Sequence, residues 1–416
     1  MRYWPEVDRA APLTRGGTTG ADGEDMGTTA AVGPGSGDGL GTEPDHITTS
    51  TRDRDELARR LGDWLVATLP AAARPELVGA SSPEGNGMSS ETVLFVARWD
   101  DGDGRAEHHL VARIEPPATA WPVFPTYDLD MQFRVMQLVR ARTDVPVPEP
   151  LWYEADPGVL GGAFFVMAHV DGRVPRDVLP YTFGDNWVSD TGGAERQRMQ
   201  ASALRALSGI HTLTPENADL AFLDHPGAGT TGLERSFRHW SAYHGWVVAD
   251  TPSPLLSACF DWLAAHLPAD AGPDALSWGD SRIGNMLFHD AEVAGVLDWE
   301  MAAVAPPEVD LGWMCYLHLF FQDLATDLGA PGLPDLLRPV DVARQYAELS
   351  GRQPDDLLWY VAYAAMRHGV IMRRVTERSI HFGEAEQPAD IDDLIIHRAT
   401  LEAMLEGSYW PRIGLR

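Results

Sequence analysis

The sequence predicts an α+β fold in which a small strand-rich lobe precedes a large, mainly helical one, with a reactive site at their junction. Three observations carry this. Between residues 77 and 114 apolar residues fall in short alternating runs separated by Gly, Ser and Asp, as half-buried strands do. From about residue 174 onward they recur at helical spacing instead. Between residues 278 and 300 a loop, a short hairpin and a strand end gather Asp280, Asn285 and Asp298. The expected organisation is a disordered leader over 1–50, a small lobe over 51–168 and a helical lobe over 169–416.

The leader is rich in Gly, Thr, Ala and Asp and lacks apolar periodicity. It has no apolar core of the secretory kind, and its acids disfavour a transit peptide. Order is expected to begin at Asp53-Arg54-Asp55-Glu56, an acidic start to a helix carrying Leu61, Trp64 and Leu65. Strands follow at Leu77–Gly79, Glu91–Trp99 and His109–Ile114, with a loop of small residues over 81–90 between the first two. A helix from Leu129 to Arg142 presents Met131, Val135, Leu138 and Val139 on one face. Phe164–Val170 reads as a buried strand leading to the hinge between the lobes. Helices are expected over Arg196–His211, Ser257–Leu267, Asp310–Phe321, Asp341–Leu349, Asp355–Arg378 and Asp390–Leu405.

Composition removes several classes of function. No apolar run approaches the ~20 residues of a membrane span. The two cysteines, Cys259 and Cys315, fit a reducing, cytoplasmic setting and read as small buried hydrophobes. Lysine is absent, so all 32 basic residues are Arg. That excludes a Gly-Lys-Ser/Thr phosphate loop, and any phosphate-holding cation must be a guanidinium. A net charge of −29 argues against nucleic acid. It suits a cationic substrate drawn to an acidic cleft, and equally a merely soluble surface. Nothing in the sequence sets an oligomeric state.

The chemistry resides in Trp278-Gly279-Asp280-Ser281-Arg282-Ile283-Gly284-Asn285 and in Val296-Leu297-Asp298-Trp299-Glu300. An Asp, four intervening residues and an Asn match the core of a phosphoryl-transfer loop. Such transfer asks for positioning and charge neutralisation rather than covalent help. Magnesium prefers hard oxygen ligands and keeps several waters, so Asp298 and the Asn285 carbonyl suffice beside phosphates. Asp280 would then orient an attacking hydroxyl. A plain β-hairpin capped by Asp and Asn has the same spacing.

These segments resemble the aminoglycoside phosphotransferase family, small-molecule kinases with a protein-kinase-like two-lobed fold. The nearest branch is one also found attached to some acyl-CoA dehydrogenases. Its "HGD-x-R-x-GN-x-LF", "LDWE-x-A" and "DLGW" are met by Gly279–Phe288, Leu297–Ala302 and Asp310–Trp313. Val145-Pro146-Val147-Pro148, Phe164–Met167 and Val170-Asp171-Gly172 extend the likeness upstream, and it covers roughly residues 55–405 in patches.

The resemblance implies roles for individual residues. Gly85, Gly87 and Ser89 would belong to a nucleotide-covering loop, although on residues alone this stretch is only a hairpin turn. Arg113 would contact the donor phosphates, and Met167 and His169 would border the adenine. The usual Glu partner of the strand cation falls at Gln132, so that Asp128 or Asp130 would have to compensate, and a His two residues before the catalytic Asp is replaced by Trp278. Asp310 reads as a brace for the catalytic loop. Arg282 and Glu300 read as ion pairs or as metal or substrate contacts. Met366-Arg367-His368 and Arg373-Arg374 read as a solvated helix face, or else as acceptor lining. Tyr181, Phe183 and Trp187 read as a lid, an apolar wall or core. The implied function is Mg2+-dependent transfer from ATP or GTP to a small-molecule hydroxyl, with an aminoglycoside-like antibiotic as acceptor. Hydroxyacyl thioesters of coenzyme A, or a catalytically weak nucleotide-binding module, are the alternatives.

Overall fold

The computed structural model describes residues 52–81, 90–117, 121–223 and 229–415, all within one compact unit, Thr48–Arg416. The expected leader and the loop residues Gly85, Gly87 and Ser89 lie outside the described residues.

Helix α1 (Arg54–Thr68) starts where the Asp53 carboxylate accepts the Glu56 N–H at 2.9 Å. Its buried stripe is Leu57, Leu61, Trp64 and Leu65. An antiparallel sheet follows, in the order β1-β2-β3-β5-β4. Its strands are β1 (Glu76–Ser81), β2 (Glu91–Asp100), β3 (Arg105–Ile114), β4 (Pro150–Glu154) and β5 (Phe164–Ala168). Helix α2 (Leu129–Arg142) lies between β3 and β4 and is N-capped by Asp128. One sheet face packs Val93, Phe95, Leu110 and Val166 against α1. The other turns Val111, Phe165 and Met167 into the larger core. Strand alternation puts Arg113 on the same face as Val111. The sheet thus aims a guanidinium at the helical part of the molecule.

A single turn α3 (Pro157–Leu160) precedes β5, and α4 (Trp187–Asp190), α5 (Gly193–Ile210), α6 (Gly232–Val247) and α7 (Pro254–Ala265) follow it. Two small antiparallel ribbons come next. β6 (Ala275–Ser277) pairs with β9 (Ala303–Ala305), and β7 (Met286–His289) with β8 (Glu292–Val296). The chain ends with α8 (Glu308–Asp327), α9 (Pro339–Ser350), α10 (Leu357–His381) and α11 (Arg398–Glu406). Helix α8 is buried along most of its length. A Cβ at Gly312 would stand 2.5 Å from the Tyr360 carbonyl oxygen, so glycine here lets α8 approach α10 closely. Both cysteines are free and buried, and burial pushes both thiols up, as expected of small core residues.

Two expectations require correction. The helix foreseen over 390–405 is broken: a 3₁₀ turn covers Ile391–Leu394 and Ile395 is extended. The cause is Asp392, whose carboxylate accepts the Leu255 N–H at 3.1 Å and the Ser253 hydroxyl, serving the start of α7 rather than its own helix. The charged face of α10 is not solvated, since Arg367, Arg373 and Arg378 are all buried. Of the readings left open for the aromatic segment, Tyr181 takes the core one, with its hydroxyl 2.9 Å from His318 Nδ1, while Trp187 lies under the Arg173 guanidinium.

Among the described residues no helix is long and apolar enough to cross a membrane.

Candidate active site

The catalytic loop leaves β6 at Ser277 and turns sharply. Gly279 has φ +90°, and a Cβ there would fall 2.0 Å from the Met301 carbonyl oxygen, so only glycine fits. The turn is held from beneath by Asp310, in the first turn of α8. Its Oδ1 accepts the Gly279 N–H at 2.8 Å and the Ser277 hydroxyl at 2.9 Å. Its Oδ2 accepts the Trp278 N–H at 2.8 Å and lies 2.9 Å from His211 Nε2. The other nitrogen of His211 is 2.8 Å from the Tyr346 hydroxyl. Burial alone would raise the Asp310 carboxyl. The bonds from His211, Gly279 and Trp278 outweigh it and hold the group below its ordinary value. Asp310 is a brace, as its place in the sequence suggested.

Asp280 sits above that brace, 7% exposed. The Trp313 indole N–H donates to its Oδ1 at 2.7 Å, and the Asn285 amide to its Oδ2 at 2.7 Å. Arg282 Nε approaches both oxygens at 3.0 and 3.2 Å, and the same guanidinium also pairs with Asp177. Burial, helped by the nearby Asp298 charge, pushes the Asp280 carboxyl up to about 7. Trp313, Asn285 and Arg367 work against that rise. The site therefore presents an oriented carboxylate whose proton affinity suits a general base near neutrality.

Asp298 lies across the hairpin β7–β8. Its φ of +57° is the left-handed region, unusual for a residue with a Cβ. Two contacts hold it there. The Trp278 indole N–H donates to the carbonyl oxygens of Leu297 at 2.9 Å and Asp298 at 3.0 Å. From the sheet, Arg113 Nη2 donates to Asp298 Oδ1 at 2.6 Å. The departure at Trp278 is thereby explained: the indole pins the backbone of the acidic residue opposite. Arg113 also contacts the Thr92 hydroxyl at 3.3 Å, and Gln132 is not among its partners. The compensation foreseen from Asp128 or Asp130 is not used either: Asp128 caps α2, and Arg113 takes its carboxylate from Asp298.

The donor set suits magnesium. Asn285 commits its amide nitrogen to Asp280, which leaves its carbonyl oxygen, like the Asp298 carboxylate, as a hard oxygen of the kind the ion prefers. At the hinge, Met167 is buried between β3 and β4, and the N–H groups of Ala168 and His169 already donate to Glu149 and His109. Those two donors are not free to face a base. His169 pairs loosely with Asp171, at 3.6 Å.

The structure thus brings together Asp280, Asn285, Asp298 and Arg113, with Trp278 and Asp310 supporting them. Met167 lies on β5 and His169 directly after its end. Three participants escaped the sequence reading, Trp313, His211 and Asp177, and Arg367 was read there only as a solvated face or acceptor lining. Only Trp313 carried a sequence signal, as the last residue of Asp310-Leu311-Gly312-Trp313. The others come from distant segments whose chemistry is set by contact alone.

A braced loop, an oriented Asp and a facing acidic residue under a kinase-like sheet define a phosphotransferase. The profile of the phosphotransferase enzyme family (APH) matches residues 85–340. The chain belongs to that family, whose enzyme class is small-molecule kinase. Among curated proteins it is 28% identical to human acyl-CoA dehydrogenase family member 11 over 246 residues, covering 57% of this chain and 29% of the relative. It is 33% identical to the chicken protein of the same name over 239 residues, covering 55% and 28%. The chain spans about a third or less of the length of these relatives. Among solved structures, a protein assigned to the aminoglycoside phosphotransferases of Ralstonia eutropha superposes with TM-score 0.58 at 23% identity, covering 84% of this chain and 97% of that one. The GDP complex of aminoglycoside 2'-phosphotransferase-IIIa gives 0.52 at 13%, covering 87% and 100%. These likenesses establish the two-lobed, kinase-like α+β fold.

Proposed function

We propose that this chain transfers the γ-phosphoryl group of ATP or GTP to a hydroxyl of a small molecule, with magnesium, at a site built from Asp280, Asn285, Asp298 and Arg113. The observation that carries the reading is Asp280 held on both carboxylate oxygens, by Asn285 and Trp313, with the Asp298 charge near enough to act on it. Asp280 orients the acceptor hydroxyl and takes its proton as the new P–O bond forms. Trp313 and Asn285 keep the carboxylate in one orientation, which removes a reorganisation step from the barrier. Arg113 contacts the donor phosphates, exchanging its present carboxylate partner for phosphate oxygens. Magnesium, held by Asn285 Oδ1 and Asp298, would supply neutralisation of the charge on the phosphates. The small lobe, 51–168, carries the nucleotide loop with Gly85, Gly87 and Ser89, and the hinge at Met167 and His169. The helical lobe, 169–416, carries the catalytic residues and the acceptor side.

An aminoglycoside-like polycation is one acceptor consistent with the acidic bulk charge and with the activities named for the solved neighbours. A specific observation favours the second class, hydroxyacyl thioesters of coenzyme A. The Arg374 guanidinium lies between the Trp121 and Trp246 rings, at 4.2 and 4.5 Å, on the α10 and α6 side of the molecule. Such a layer of arginine and aromatic rings suits anionic, partly apolar ligands, with Glu377 3.7 Å from the guanidinium offsetting part of its charge. The relatives named as acyl-CoA dehydrogenases point the same way. The test is mass detection of phosphate transfer from Mg-ATP and Mg-GTP to a panel of aminoglycosides, other hydroxylated antibiotics and hydroxyacyl-CoAs. A phosphorylated product from one class names the acceptor. Nucleotide binding with no product would favour a weak nucleotide-binding module, and neither binding nor product would end the reading.

A further inference from the structure

Arg367, on α10, is 2% exposed, yet no carboxylate forms an ion pair with it among the described residues. Its Nε and Nη2 have no hydrogen-bond partner there. A buried guanidinium left in this state is strongly disfavoured unless something nearby uses its charge. Three rings surround it instead: Trp313 at 4.5 Å, Tyr363 at 4.7 Å and Trp240 at 4.9 Å. Tyr363 is itself fixed by the Ser236 hydroxyl at 3.0 Å, so α6 and α10 together set the plane of the cage. One wall of that cage is the indole whose N–H edge donates to Asp280 Oδ1 at 2.7 Å. Trp313 therefore has a cation on its face and a carboxylate on its edge. A cation over the π-face draws electron density from the ring and makes the indole N–H a stronger donor. The Asp280 and Asp310 carboxylates are the negative charges that act on Arg367 from beyond the cage.

We infer that Arg367 is a positioning residue for Asp280, acting through the Trp313 indole that lies between them. The inference rests on Asp280 being the group that meets the acceptor, as proposed above, but its first readout does not require turnover. The chain has 14 tryptophans, and the Nε1–H resonance of Trp313 is identified as the one missing from Trp313→Phe. With a carboxylate acceptor that resonance lies downfield, and Asp280→Asn moves it.

The experiment records indole N–H spectra and steady-state kinetics for the full chain and for Arg367→Met, Arg367→Lys and Arg373→Met. Arg373 is an equally buried arginine of α10 that pairs with Glu377, and it serves as the control for loss of a buried charge. The expected result for Arg367→Met is an upfield move of the Trp313 resonance. Its kcat falls about tenfold, in keeping with one desolvated cation–π contact, while KM for the nucleotide stays within about twofold. Arg367→Lys keeps the charge and restores most of the resonance position and of kcat, and Arg373→Met leaves the resonance in place. A folded Arg367→Met with the Trp313 resonance unmoved would overturn the inference. If Arg367→Met does not fold, Arg367→Gln, which keeps a planar polar head in the cage, gives the same reading. If the wild-type chain transfers phosphate to no acceptor, the proposed function fails, and the resonance still decides whether Arg367 governs the bond to Asp280.

Discussion

Arg113 and Asp298 stand 185 residues apart in the chain and 2.6 Å apart in space. The pair joins the sheet to the segment after β8, and both side chains are largely buried. In the proposed function Arg113 is the phosphate-binding cation and Asp298 a metal ligand, so this ion pair would let the two neutralise one another before nucleotide arrives. On that proposal, binding of a magnesium nucleotide would exchange this one contact for two, cation to phosphate and carboxylate to metal.

Arg113→Met therefore removes a charge-assisted contact to phosphate and leaves Asp298 without its partner. Hydrogen bonds to charged groups contribute about 1.5–3 kcal/mol, so nucleotide affinity should fall roughly 10- to 100-fold. Arg113→Lys should recover only part of it, since ammonium lacks the fork that meets two oxygens. Calorimetric titration with Mg-ATP and Mg-GTP reads both.

Trp278→Phe keeps an aromatic ring in a fully buried position but deletes the donor to the Leu297 and Asp298 carbonyls. The left-handed conformation of Asp298 then loses its backbone anchor. Magnesium-dependent thermal stabilisation by nucleotide should weaken by about tenfold in apparent affinity, the worth of one or two ordinary hydrogen bonds. Retention of full affinity would show that Arg113 alone holds Asp298.

The pH profile follows from Asp280. Its carboxyl is raised to about 7 by burial and by the Asp298 charge, so below that pH the group is protonated and cannot accept the hydroxyl proton. kcat/KM should rise with pH through about 7. Trp313→Phe removes a bond that favours the ionised form, so its acid limb should move to higher pH. A profile flat from pH 5 to 8 would contradict the role given to this carboxyl.

Asp310 has the opposite sign. Its carboxyl is held below the ordinary value, so its contribution is present above the usual carboxylate range and is lost as pH falls through the folded value. Asp310→Asn breaks a buried charge network and should lower stability by about 3–5 kcal/mol at neutral pH. Urea unfolding of both proteins at neutral and acidic pH checks it: the gap between them should narrow in acid.

Much of this was legible in the sequence, and the residues show why. Helix α2 falls at the residues expected from its apolar face, because Asp128 caps it and its periodicity is clean. β3 begins four residues earlier than read, at Arg105, because its first half is polar and largely exposed and carries no hydropathy signal. β4 was missed because it is short, starts at a proline and is mostly half-buried. Asp280, Asn285 and Asp298 were legible as candidates from their spacing, and the family resemblance set them apart from a plain capped hairpin of the same spacing. The cation at Arg113 was legible, but its partner was not: Gln132 was the position expected, whereas the contact runs to Asp298 across the fold. Arg367 was read as part of a solvated face, or else of acceptor lining, because helix periodicity does not distinguish a charged face turned to water from one turned to an aromatic cage.

The central claim is that Asp280 is the group that activates the acceptor, within a site whose nucleotide contacts lie elsewhere. The most direct measurement compares the wild-type chain with Asp280→Ala for nucleotide affinity and for mass-detected phosphate transfer to the acceptor that the panel identifies. The account predicts that transfer falls by about 10²–10⁴-fold while affinity for Mg-ATP or Mg-GTP stays within a few-fold. Transfer that persists in Asp280→Ala at near wild-type rate would contradict it.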